Sequence, residues 1–195
     1  MHKNPLDLPL TSSSAVLHAH SVTVRPLQRE DADLELRFGL GLSDDTRYSR
    51  FFGGVRYTPG VLASLVNTDF SRDVALIATT TVDGKETPIG VARYVLVPEG
   101  DAAEFAITVA DKWQGGGVGH LLLGRLIEIA RARGLRCLWG ETFATNHPMI
   151  RLAAALGFKV TVHPDDPTLR RLDRDLHDEI AAFVGREAGA PESEA

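Results

Sequence analysis

From Gln114 to His120 the chain reads Gln-Gly-Gly-Gly-Val-Gly-His, with four glycines in five positions. The stretch follows an alternating apolar run ending at Val109. It precedes Val118, Leu122, Leu126 and Ile129, which fall at helical spacing. Glycines let backbone N–H groups approach a ligand with no Cβ in the way, and a helix start adds partial positive charge. Together they make a cradle for phosphate. A merely tight strand-to-helix turn needs one or two glycines, not four. The dinucleotide pattern G-x-G-x-x-G fails, because its last position falls on His120 counting from Gly115 and on Leu122 counting from Gly117. The P-loop pattern fails too, since no Lys-Ser or Lys-Thr pair follows. A phosphorylated ligand outside the two common nucleotide patterns is the expectation.

The elements that must position this loop can be read on both sides of it. Val22–Arg25 reads as a strand stopping at Pro26, and Gln28–Leu40 as a helix with Asp31 near its start. Ser43 or Asp44 can cap a second helix running to Phe52, and Thr58–Asn67 a third, with Pro59 in its first turn. Val74–Val82 and Pro88–Val97 read as strands joined by an Asp83-Gly84 turn. Ala103–Val109 alternates as a third strand, with Phe105, Ile107 and Val109 on one face and Glu104, Ala106 and Thr108 on the other. Gly134 stops the helix after the loop. Leu135–Phe143 is then a strand, Pro148–Leu156 a helix and Phe158–His163 a strand, with Thr168–Leu172 pairing back on the last. Asp175–Val184 reads as a final helix. The fold class is mixed α/β, built as a β-meander with helices rather than a regular doubly wound sheet.

The chain has 195 residues, of which 44% are hydrophobic and 24% charged, enough for one sizeable core. The domain expectation is a flexible lead over 1–20, one domain over 21–185 and a disordered acidic tail over 186–195. With 21 basic against 26 acidic residues, the net charge of −5 gives no support to nucleic-acid binding. The Arg131, Arg133 and Arg136 cluster is read as cations at a helix C-terminus, with a phosphate or partner contact as the alternative. No apolar run approaches the ~18 residues of a membrane span, and no signal-peptide core opens the chain. One cysteine, Cys137, excludes an internal disulfide framework and a multi-Cys zinc site, and is read as a small buried hydrophobe. His18 and His20 lack further ligands, so no metal is expected. The default location is cytoplasmic.

The loop Gln114–Gly119 resembles the Q/R-x-x-G-x-G/A pyrophosphate loop of the GNAT superfamily of N-acetyltransferases, which bind acetyl-CoA. Three further segments match in order. Arg25-Pro26 through Asp31 resembles the family's opening. Ile107-x-Val109 resembles its fourth strand, whose backbone pairs with pantetheine. Asn146 with Leu152 and Leu156-Gly157-Phe158 resembles its second cofactor segment. The likeness covers roughly residues 21 to 173 and implies a mostly antiparallel central sheet with a V-shaped cofactor cleft, flanked by helices. Arg47-Tyr48-Ser49-Arg50-Phe51-Phe52, Ala103-Glu104-Phe105-Ala106, Trp113-Gln114-Gly115 and Asn146-x-Pro148-Met149 are closer to the bacterial protein lysine acetyltransferases.

Acetyl transfer to an amine needs a neutral nucleophile, and a lysine of pKa about 10.4 is neutral only about once in 2,500 molecules at pH 7. A base is therefore useful. The resemblance gives that role to Glu104, a solvated glutamate being the competing reading. Glu141, a carboxylate in a mostly apolar strand, is the runner-up, and a buried partner for it is an equal reading. The resemblance also implies that Ile107 and Val109 pair with the pantetheine arm, with Val109 N–H donating to the thioester oxygen. Gln114, Gly115, Gly116, Gly117, Val118, Gly119 and His120 form the pyrophosphate loop. Asn146 either bonds the pantetheine arm or caps the helix after it. Tyr48, Phe51 and Phe52 line the acceptor cleft or belong to the core. Many superfamily members carry a tyrosine acid where this chain has Ala153, leaving the acid unassigned and His147 as a substitute. The expected activity is direct acetyl transfer in a ternary complex, from acetyl-CoA to a protein lysine. A small amine as acceptor and a non-catalytic acyl-CoA-binding module are the alternatives, and a homodimer is left open.

Overall fold

The computed structural model describes residues 12–17, 20–51, 73–98 and 101–177. The expected third helix over 58–67, Phe52, the tail over 186–195 and nearly all of the expected final helix lie outside them. Eight strands form one sheet in the order β1-β2-β3-β4-β5-β6-β8-β7. They are β1 (Ser13–Leu17), β2 (His20–Pro26), β3 (Val74–Val82), β4 (Lys85–Leu96), β5 (Ala102–Val109), β6 (Cys137–Phe143), β7 (Lys159–Val162) and β8 (Leu169–Asp175). The helices are α1 (Ala32–Gly41), α2 (Asp44–Phe51), α3 (Val118–Ala132) and α4 (His147–Ala155). Among the described residues, no helix is long and apolar enough to cross a membrane.

Every pairing is antiparallel except β5 with β6. Asp83 and Gly84 both take positive φ, 49° and 74°, the two-residue turn that suits the twist between β3 and β4. The β3–β4 register shifts between Ala78 and Thr79, opposite Pro88 to Gly90. A proline that cannot donate to the ladder is tolerated at such an irregularity.

Side chains alternate to two cores. One holds Val24, Leu76, Tyr94, Phe105 and Leu138 under α3 and α4, which contribute Val118, Leu122, Leu126, Ile129 and Ala153. The other is smaller and holds Leu27, Ala75, Ile77 and Val91 against Leu34 and Phe38 of α1. Glu104 lies on the second face and Phe105, Ile107 and Val109 on the first, as the alternation predicts.

Two sequence expectations change. Ser13–Leu17, read as part of an unstructured lead, is a strand paired with β2 from Ser13↔Val24 to Leu17↔His20. Its serines carry no strand signal of their own; the pairing holds it. Asp175, expected to open a final helix, instead ends β8 opposite Cys137. Arg133 is buried and donates to the Tyr94 hydroxyl at 3.3 Å and to Asp73 O at 3.4 Å, a structural role. Cys137 is half-buried rather than buried.

Candidate active site

The β5–β6 pairing covers only Ala102↔Cys137, Ala103↔Leu138 and Glu104↔Trp139. Beyond Glu104 the two strands part. The opening, bounded by α2, the glycine loop and the start of α4, is a cleft of about 1370 Å³. That exceeds the roughly 300–1,000 Å³ of a pocket for one small ligand. Tyr48, Glu104, Ile107, Val109, Gln114, Gly115, Gly117, Gly119, His120, Glu141 and Asn146 all line it. The cleft thus gathers residues that the sequence spreads over a hundred positions. Gly116 and Val118 do not line it, and the Val118 side chain is wholly in the core, leaving its backbone as the usable part.

Gly115 and Gly117 take φ of 74° and 91°, a region costly for residues with a Cβ. Gly117 is the N-cap of α3, with no side-chain cap, and the Leu121 N–H bonds to Gly117 O. The N–H groups of Val118, Gly119 and His120 therefore precede any intrahelical acceptor and project at the positive helix end. On the neighbouring strand, Ala110 N–H bonds to Ile89 O of β4. Successive backbone groups along an antiparallel strand turn opposite ways, so the Val109 N–H and C=O face the opening. There Val109 O accepts from Gln114 Nε2 at 3.1 Å.

The two candidate carboxylates stand on the α2 face. Glu104 is exposed to the cleft rather than buried. Partial desolvation by the surrounding walls raises its carboxyl above the ordinary range and the nearby Glu141 charge raises it further, while Arg171 and Arg50 pull it down. Glu141 has partners: His163 Nε2 at 3.2 Å and an Arg171 guanidinium nitrogen at 3.4 Å. Arg171 also lies 3.6 Å above the Trp139 ring and bonds Asp173 at 3.0 Å. Glu141 is thus half-buried and anchored by partners, which is the paired reading.

Asn146 caps α4: its Oδ1 accepts from Met149 N–H at 3.2 Å and its Nδ2 donates to Thr142 Oγ1 at 3.0 Å. Ala153 is fully buried, so the position of the family's tyrosine offers only a methyl group to the core. His147 is exposed and does not line the cleft. Tyr48 is 55% exposed and stacks on Phe143 at 5.3 Å with the rings 9° apart, which sets aside the core reading. Of Phe51 only the helical backbone is described.

Sequence reasoning missed several neighbours of the site. Leu17 packs within 3.4 Å of where a Gly117 Cβ would stand, and the His20 ring meets Trp113 edge-on at 4.9 Å. Asp111 binds the start of α2. Arg171 and His163 set the charge around Glu141. No local pattern signals these contacts, because each joins distant parts of the chain.

The sequence matches the acetyltransferase (GNAT) family over residues 48–158. An acetyltransferase of Pseudomonas aeruginosa is 36% identical over 148 residues, covering 75% of this chain and 80% of that protein. Acetyltransferase Pat of Mycolicibacterium smegmatis is 29% identical over 137 residues, 69% of this chain but only 40% of Pat. Among solved structures, the GNAT domain of S. lividans PAT aligns with a TM-score of 0.75 at 29% identity, over 84% of this chain and 96% of that one. The family match runs from the middle of α2 through the parted strands, the glycine loop and α4, and the chain belongs to the acetyltransferase (GNAT) family as an N-acetyltransferase.

Proposed function

We propose that the chain moves an acetyl group from acetyl-CoA to a protein lysine by direct transfer in a ternary complex, with Glu104 as the general base. The observation that carries this reading is one cleft with a cradle of unpaired helix-start N–H groups at one end and a carboxylate of raised pKa where β5 and β6 part. The resemblance of Arg47–Phe52, Ala103–Ala106 and Trp113–Gly115 to the bacterial protein lysine acetyltransferases supports a protein acceptor.

Acetyl-CoA, when bound, supplies an acetyl thioester whose sulfur departs as the thiolate. The residues suited to hold it are Gly115, Gly117, Gly119 and His120, with Val118 and Gly116 through their backbones, for the phosphates, and Ile107 and Val109 along the strand edge. Their fit rests on donors that point into the cleft and on glycines that leave it clear of Cβ atoms. Val109 N–H is the donor available to an oxygen on which negative charge develops. Glu104 takes the proton from the incoming ammonium or amine, directly or through one water. Its raised pKa brings it nearer to neutrality, where a base both is ionised and holds a proton well. Tyr48 and Phe143 form a stacked aromatic wall for the aliphatic stem of a lysine. Ala153 has no proton to give, and a thiol of pKa about 8.5 is a tolerable leaving group without one.

Glu104→Gln tests the assignment. Turnover on a panel of lysine peptides should fall by roughly 10²–10⁴-fold while calorimetric acetyl-CoA affinity stays as in the parent. Equal activity in the variant would remove Glu104 from the role. Turnover on small amines but on no lysine peptide would replace the acceptor. Binding of acetyl-CoA with no turnover on any amine would leave a binding module.

A further inference from the structure

Asp111 opens the short turn Asp111–Trp113 that leads from β5 into the glycine loop. Its carboxylate accepts three hydrogen bonds from the beginning of α2: Ser43 N–H at 2.9 Å, Ser43 Oγ at 2.6 Å and Thr46 Oγ1 at 2.7 Å. Ser43 is itself the cap of that helix, accepting from Thr46 N–H at 3.2 Å. Gln114 completes the arrangement, its Nε2 donating to Thr46 Oγ1 at 3.3 Å and to Val109 O at 3.1 Å. Burial pushes the Asp111 carboxyl up, but the Ser43 and Thr46 bonds outweigh it and bring it down to about 2, so the carboxylate is charged throughout the physiological range.

The partners are 65 and 68 residues apart in sequence, so this is a tertiary tie and not a local turn. It is exposed, and exposed charged contacts add little to stability. Its position is more informative than its strength. At one end is the loop whose N–H groups face the cleft. At the other is α2, which brings Tyr48, Ser49 and Arg50 to the opposite wall. Thr46 is the junction, since its hydroxyl donates to Asp111 and accepts from Gln114.

We propose that Asp111, Thr46 and Gln114 are positioning residues that transmit filling of the glycine loop to α2, so that the acceptor wall is set by the occupied cofactor end. This rests on the reading of the loop as the phosphate cradle of acetyl-CoA. A phosphate bound to the loop amides fixes the backbone on which Asp111 and Gln114 stand. Directional hydrogen bonds then fix Ser43 and Thr46 and, through the first turn, the rest of an eight-residue helix. Coupling between sites of this kind ordinarily amounts to about 5–150-fold.

Amide hydrogen exchange of the full chain, with and without saturating acetyl-CoA, tests it. In the parent, acetyl-CoA should slow exchange about fivefold or more over both the loop, 114–120, and α2, 44–51. Thr46→Val keeps the side-chain shape but loses the hydroxyl and with it the Asp111 and Gln114 bonds to Thr46; the loop should still be protected while the α2 response is reduced, the two Asp111–Ser43 bonds remaining. Thr46→Ser should restore the α2 response, and Ser43→Ala should weaken it. An α2 that responds equally in Thr46→Val, or one that never responds although the loop is protected, overturns the coupling. A loop left unprotected by acetyl-CoA removes the cofactor reading, and the coupling with it.

Discussion

Glu104 and Glu141 illustrate how neighbours divide the work of two like residues. Glu141 is held by Arg171 and His163, whereas Glu104 stands exposed to the cleft with a carboxyl raised first by partial desolvation and then by the Glu141 charge. A base works in its ionised form, so the acid limb of kcat/KM against pH should report the raised value. Glu141→Gln removes one upward push and also releases Arg171, whose charge pulls Glu104 down. Both changes favour the carboxylate, and the acid limb should move to lower pH; an unmoved or raised limb would separate Glu141 from Glu104. At this scale the sequence was informative wherever chemistry was local. Four glycines in five residues identify the loop, and strand alternation puts Glu104 on the correct face. Arg171 and His163 were illegible because they enter from β8 and the end of β7, whose place beside β6 is a matter of topology. Asn146 was ambiguous for the opposite reason: one side chain suits two tasks, and the structure uses it as a helix cap.

The strand–loop–helix element formed by β5, the glycine loop and α3 owes its shape to backbone conformations that few residues accept. Gly117 is the sharpest case, with φ of 91° and the Leu17 side chain 3.4 Å from the place a Cβ would occupy. Gly117→Ala should therefore cost about 1–2 kcal/mol in urea unfolding from the left-handed conformation alone. It should also weaken acetyl-CoA binding measured by calorimetry, because any relief of strain turns the following N–H groups away from the cleft. Full stability with full affinity would mean that the loop is not held in this conformation. Leu17 belongs to β1, which the sequence did not reveal: Ser13 and Ser14 are poor strand formers, and only the ladder with β2 makes them one. The same override explains the far edge. Arg170, Arg171, Asp173, Arg174 and Asp175 give β8 a charged composition that discourages a strand reading past Leu172. Yet β8 lies between β6 and β7; the β7 ladder carries it to Asp173 and the β6 ladder on to Asp175. By contrast α3 was plain from its sequence, since one face is apolar over four turns and Gly134 follows its end.

Across the whole molecule the sheet separates two unlike cores, and the smaller one tolerates charge. The α3–α4 side is mostly apolar, with Arg133 at its edge bonded to the Tyr94 hydroxyl, whereas the α1 side admits Asp31, Glu35 and Arg93 beside its aliphatic cluster. Asp31 is bound by Arg25 at 2.6 and 2.8 Å and by the Gln28 N–H at 2.8 Å. Burial pushes its carboxyl up, and these partners outweigh that and hold it below the ordinary range. Its contribution to stability is therefore present above the unfolded pKa and is lost on acidification through the folded one. Glu35 has the opposite sign. It is 2% exposed, and its Oε2 has no hydrogen-bond partner among the described residues. Burial raises its carboxyl by more than Arg93 and Arg50 lower it. The folded state then binds a proton more tightly than the unfolded one, and stability declines as pH rises from the unfolded Glu pKa through the raised folded value. Glu35→Gln removes that titration and keeps the shape. The variant also alters the field felt by Arg50 and Arg93, which adds an offset of either sign, so the slope is the quantity to read. In urea unfolding at a series of pH values, the stability of Glu35→Gln minus that of the parent should grow from pH 4 upward and level off above the folded pKa. A difference that stays flat would mean that Glu35 titrates alike in both states. A difference that shrinks would mean that its arginine neighbours, rather than its burial, control it.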